Sequence, residues 1–226
     1  QTPDRALVEA LADFPACWIT SHSENGDSAL AGNDRIAVDA DHVVALWNGG
    51  NLRADIAEGT FGAEALAEVL PFPNKVAVVY MTGAQLLETL EAASQGLPYT
   101  AETADACASL MQVSGLSYTV DTAKAYDALE AYGDHWFTAG SVSRVRIDDV
   151  NGQPFDAEAT YAVVTSNANF NGMDSSYVLK AAAEANEQSA VTTAVVRDVL
   201  FQFIAAELNH QIGETYAAPQ GRLTVL

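Results

Sequence analysis

Apolar positions recur along the chain with two different periods, and the alternation between them predicts a mixed succession of helices and strands. Leu7, Val8, Leu11 and Phe14 fall at helical spacing and predict a helix over residues 6–14, followed by a Ser-, Asn- and Gly-rich loop over 21–32. The unbroken apolar run over 42–47 predicts a buried strand, stopped by Asn48, Gly49 and Gly50. A short helix over 61–70 is closed by Pro71, and a second apolar strand follows over 75–81. Thr82 is placed to cap a helix that runs through Leu86, Leu87, Leu90 and Ala93. Residues 110–120 and 143–147 predict strands on either side of a long polar insertion that contains Tyr126, Tyr132 and Trp136. Val150-Asn151-Gly152-Gln153 is a hairpin-type turn, and residues 161–166 predict another strand. Helices over 176–185 and 190–208 and a terminal strand over 222–226 complete the reading. No repeat or linker interrupts this block, which predicts one α+β domain spanning residues 1–226.

Composition narrows the partners. Of 226 residues, 49% are apolar and 18% charged, the balance of a chain with a real core. Acidic residues outnumber basic ones 30 to 10, for a formal charge of -20. A nucleic-acid groove needs basic side chains to replace condensed counterions, so DNA and RNA are excluded as expected partners. An anionic membrane surface would repel the same charge, and no apolar run is long enough to span a bilayer. The first residue is Gln1, which agrees with a mature exported form or a cut chain. Cys17 and Cys107 are too few for a disulfide scaffold; they form either one bridge, if the protein is exported, or two buried thiols.

Several short segments, taken in order, resemble the C-terminal domain of the 5'-nucleotidase family. Asn48-Gly49-Gly50-Asn51-Leu52-Arg53 is similar to that family's N-G-G-G-I-R turn. Pro71-Phe72-Pro73-Asn74 resembles its P-F-x-N segment, and Met81-Thr82-Gly83-Ala84-Gln85-Leu86 its L-T-G-x-x-L helix start. Gln112-Val113-Ser114-Gly115 resembles its Q-V-S-G strand, and Asn151-Gly152-Gln153-Pro154 with Thr160-Tyr161 its hairpin and following strand. Gly172-Met173-Asp174 resembles G-G-D, and Gly221-Arg222-Leu223 the closing G-R-I. The likeness covers about residues 30 to 226, and the first 30 residues match poorly. It implies a single layered α/β/β/α domain of mixed sheets.

The resemblance also implies roles. Two glycines after a strand let backbone N–H groups approach an anion. Arg53 beyond them offers a planar fork suited to phosphate in the light of the resemblance, although on its own it reads first as the partner of an acidic residue. In the family the aromatic that Phe72 matches is one side of a clamp on the nucleobase, where stacking is worth ~1–3 kcal/mol. The Asn that Asn74 matches touches the base, and the Asp that Asp174 matches accepts ribose hydroxyls. Asn48 opens the same turn. The second clamp aromatic is replaced by Ala168; Phe170, two residues on, would point the same way in an extended segment and could stand in for it. Asn51 occupies the third glycine of the turn.

Family members hydrolyse phosphoesters with two divalent metal ions held by a separate N-terminal domain, through D-x-H, G-D, G-N-H-E and G-H-x-H motifs. This chain has four histidines, His22, His42, His135 and His210, and none sits in such a motif. No P-loop or G-x-S-x-G elbow is present either. The chain by itself is therefore expected to be inactive, to need no cofactor of its own, and to recognise a nucleotide or other small phosphoester beside a metallophosphoesterase domain. The expected setting is periplasmic or extracellular. The alternative is a stand-alone exported binding or interaction module with a degenerate nucleotide site.

Overall fold

The computed structural model describes residues 38–56, 58–212, 216 and 218–226. The helix predicted over 6–14, the loop over 21–32, Cys17 and His22 lie outside the described residues.

The apolar runs become strands with cover on both faces. β1 (Val43–Asn48) is buried at every position, and β2 (Lys75–Thr82) at all but its two ends. Strands that read as continuous apolar runs are buried on both sides. They belong to a five-stranded mixed sheet, ordered β3-β1-β8-β2-β9, with β3 spanning Met111–Ser114, β8 Thr160–Ser166 and β9 Ala190–Val195. β1 and β8 run parallel, and the other neighbours antiparallel. Successive side chains of a strand face opposite ways, so each strand feeds two cores. Ala45, Trp47, Val78, Tyr80 and Val164 pack against α1 (Ala63–Val69) and α5 (Val196–Ala206). Val44, Leu46, Val79, Met81 and Val163 meet α2 (Gly83–Ala93) and α4 (Tyr177–Ala185) on the other side. That second core is shared with a three-stranded sheet, β10-β4-β7, made of Leu223–Val225, Leu116–Val120 and Val145–Val150. The result is the expected α+β domain of mixed sheets.

Local chemistry places the ends of the elements. Thr82 and Gln85 form a reciprocal capping box at the start of α2: Gln85 N–H donates to Thr82 Oγ1, and Thr82 N–H to Gln85 Oε1 at 2.9 Å. Both satisfy orphan donors of the first turn.

Four predicted segments turn out differently. The run 110–120 is two strands in two sheets, because Gly115 adopts φ +74° and turns the chain between them. A Cβ there would lie 2.8 Å from the Val43 carbonyl oxygen as well as straining the backbone. The polar insertion, to which the sequence reading gave no element, carries a hairpin of β5 (Ala128–Tyr132) and β6 (Trp136–Ala139). Residues 190–195, predicted as helix, are β9. Their β-branched Val191, Thr192, Thr193 and Val195 suit the open edge of β2, and Thr192 Oγ1 donates to Val76 O at 2.9 Å. Finally, residues after β8 form one helical turn, α3 (Asn167–Phe170), capped by Ser166.

Cys107 carries a free thiol. It sits in a 3-10 turn, with Sγ directed at Gly96 O, 2.7 Å away, and Gly96 lies so close that a Cβ on it would fall 2.4 Å from Cys107 N. Cys107 is thus half-buried and packed on its own loop, while Cys17, its partner in the predicted bridge, lies outside the described residues.

Candidate functional site

The site grows from the end of β1. Asn48, the last residue of that strand, is only 2% exposed, so both ends of its amide need partners. Its Nδ2 donates to Asp174 Oδ2, and its Oδ1 accepts from Asn51 Nδ2. Asn51 Oδ1 in turn accepts from Asn74 Nδ2 at 3.2 Å. One relay of polar side chains therefore runs Asn74–Asn51–Asn48–Asp174 and joins the turn after β1, the lead into β2, and the loop before α4.

Asn51 is the residue that sequence reasoning passed over. It stood only as a departure from a glycine turn, yet it is buried and supplies the link between Asn48 and Asn74. The available signal was its chemistry: an amide carries donors and an acceptor, and where it is buried both must be met. The glycines before it serve packing. Gly49 N–H is engaged by Leu110 O at 3.1 Å, so it does not face an anion. A Cβ on Gly50 would come within 3.0 Å of the Ala108 Cβ.

Arg53 follows on the same turn. Its backbone N–H donates to Val69 O at 2.9 Å, which fixes its start against the end of α1. Its exposed guanidinium lies over the ring of Phe72, 5.3 Å from the centroid. Among the described residues no carboxylate lies within ion-pair distance of it. Phe72, held between Pro71 and Pro73, is 43% exposed and is no core aromatic.

Asp174 is half-buried at φ +55°. Burial pushes its carboxyl above the usual carboxylate range; the nearby Arg53 charge and the Asn48 hydrogen bond act against that rise. Its turn is tied from below. Met173 N–H donates to Ala168 O at 3.0 Å, and buried Asn169 bonds both Ser166 and Ser176.

The structure thus brings Asn48, Arg53, Phe72, Asn74 and Asp174 into one chain of contacts and couplings. Phe170 does not join them. The segment 167–170 is helical, not extended, so residues 168 and 170 do not point the same way. Phe170 instead packs partly buried against the second core, among residues that include α2 and α4. Among the described residues, no group of three or more His, Cys, Asp or Glu side chains gathers as a metal site. His42 Nδ1 pairs with its neighbour Asp41 at 2.9 Å and its ring rests near Tyr161; His135 lies edge-on to Trp136.

Comparison with known proteins identifies the family and the fold. The family described as "5'-nucleotidase, C-terminal domain" matches residues 18–181. The trifunctional nucleotide phosphoesterase protein YfkN of Bacillus subtilis is 32% identical over 126 residues, which is 55% of this chain and 7% of that protein. Among solved structures, the 5'-nucleotidase precursor from Thermus thermophilus superposes with a TM-score of 0.66 at 26% identity, over 98% of this chain and 37% of that one. The NAD nucleotidase of Haemophilus influenzae shares the fold, with a TM-score of 0.59 at 19% identity over 82% of this chain and 30% of its own. This chain therefore spans well under half the length of each of these relatives. With a family match over most of its length, the chain belongs to the 5'-nucleotidase C-terminal domain family.

Proposed function

We propose that this domain is the substrate-recognising part of a 5'-nucleotidase-type phosphoesterase and that its ligand is a nucleotide or other small phosphoester. Arg53 takes the phosphate, the Phe72 ring the base plane, Asn74 the base edge and Asp174 the sugar hydroxyls, with Asn48 orienting Asp174. The observation that carries this reading is the Asn74–Asn51–Asn48–Asp174 relay beside an Arg53 that no described carboxylate pairs. A half-buried carboxylate raised by desolvation gains from donors that a ligand brings, and a planar guanidinium with free donors gains from an oxyanion. The Arg53–Phe72 contact does not compete with that. An exposed cation–π pair is worth about 0.5–1 kcal/mol, whereas hydrogen bonds to charged groups are worth about 1.5–3 kcal/mol each.

Hydrolysis belongs, in this reading, to a separate metallophosphoesterase domain that holds two divalent ions; the described residues here do not fit such a centre. An exported setting, periplasmic or extracellular, is part of the same proposal. The second reading, a stand-alone interaction module, is favoured by one observation: Ala168 sits where the family's second clamp aromatic stands, and Phe170 does not replace it.

Calorimetry with AMP and adenosine tests the assignment. AMP is expected to bind more tightly than adenosine, and Arg53→Ala to abolish the difference while leaving adenosine binding unchanged. Equal losses for both ligands would show that Arg53 supports the fold and not the phosphate. No binding of either would favour the interaction module.

A further inference from the structure

The β5–β6 hairpin arises from a stretch that none of the family-like motifs covers, yet it reaches the candidate site. Tyr132, at the end of β5, donates its hydroxyl to Gly172 O at 2.7 Å, two residues before Asp174. Its ring lies 5.6 Å from that of Tyr177, the first residue of α4. Tyr177 in turn accepts from Ala139 N–H at the end of β6, at 2.9 Å, and donates to Glu88 of α2 at 3.0 Å. Phe137 N–H donates to Gln95 Oε1 at 2.9 Å. The hairpin is thus tied down along both strands, with one hydroxyl on the turn that carries Asp174.

That turn needs support. Gly172 sits at φ +88° and Asp174 at φ +55°, two left-handed residues within three. Left-handed backbone disfavours any residue with a Cβ, so surrounding contacts must hold it. Gly172 is also where the hydroxyl arrives: a Cβ there would lie 2.5 Å from Tyr132 Oη and 2.9 Å from Lys180 Cδ. The missing side chain therefore both permits the turn and opens the path to its carbonyl.

We infer that Tyr132 is a positioning residue which, through the Gly172 carbonyl, holds Asp174 in the geometry that recognises a sugar with vicinal hydroxyls, so that the hairpin sets sugar selectivity. The inference rests on the nucleotide reading of the site. Burial and the nearby Glu184 raise the pKa of the Tyr132 hydroxyl, so it remains a donor throughout the neutral range.

Calorimetry with adenosine and 2',3'-dideoxyadenosine reads the sugar preference directly. Tyr132→Phe keeps the ring on Tyr177 and should reduce the preference for adenosine by roughly fivefold to tenfold, the effect of one hydrogen bond. Binding of inorganic phosphate, which depends on Arg53, should stay at the wild-type level; a merely structural defect would lower all three affinities together. Gly172→Ala puts a methyl group against the same hydroxyl and should show the same selective loss. The double variant should be no worse than the worse single one. If the wild-type chain prefers adenosine and Tyr132→Phe keeps that preference, the inference falls while the nucleotide reading stands. If the wild-type chain binds neither nucleoside, the nucleotide reading falls and takes the inference with it.

Discussion

Asp174 sets a cost in stability against its proposed role in recognition. Its carboxyl is raised above the ordinary range, so between the unfolded and folded values the folded state binds the proton more tightly. Stability from this group is therefore fully present below the unfolded pKa and is lost as pH rises through the folded one. At neutral pH the ionised group opposes folding. Asp174→Asn removes that charge, keeps an acceptor for Asn48, and suits a left-handed position. The variant is expected to melt higher than wild type at pH 7, with the gap closing in acid, and to bind adenosine more weakly; thermal melts across pH check the sign. Asn51 presents the opposite case. Replacing it by Gly brings the turn closer to the family pattern but leaves Asn48 Oδ1 without its donor inside the protein. An unsatisfied buried acceptor costs about 1–3 kcal/mol, so Asn51→Gly should lower the urea midpoint by a corresponding amount.

The elements that could be read from the sequence are those whose signal is local. β1, β2, β8, α2 and the hairpin turn at Asn151 follow from apolar runs, a Thr82 helix cap and a turn dipeptide, and they stand where expected. Thr82→Ala is expected to cost about 1 kcal/mol through loss of that cap, measurable as a shift in chemical denaturation. β9 was hidden because six residues of Ala, Val and Thr carry no helix-breaking mark; only the edge of β2 decides for a strand. α3 was hidden for the same kind of reason: the four residues Asn167 to Phe170 fold back because Ser166 and Asn169 satisfy each other, not because of any periodicity. The site divides along the same line. Asn48, Arg53, Phe72, Asn74 and Asp174 entered as candidates from motif likeness, whereas the Asn51–Asn74 link and the hairpin contact at Gly172 join residues 23 and 40 positions apart.

For the molecule as a whole, charge sets the conditions under which a ligand is met. A net charge of -20 repels an anionic nucleotide and also works against the compact state. Added salt screens both effects, so the melting temperature should rise and AMP association should speed up between low and physiological ionic strength. A fall in both would mean that local cations such as Arg53 outweigh the overall field. The chain is also expected to release no phosphate from AMP with added Mn²⁺, Co²⁺ or Zn²⁺, if the proposed division between recognition and hydrolysis holds; turnover above buffer would refute that division. The left-handed turn at Gly115 has a consequence for how the protein opens. Neighbouring residues of one short stretch are woven into both sheets, and the Gly115 carbonyl also holds Asn151 N–H at 2.8 Å. Neither sheet can peel away without unthreading the other. Backbone amides of β1 and β4 should therefore trade their protons for deuterium with one shared free energy, that of global unfolding, so that the two sheets behave as a single foldon.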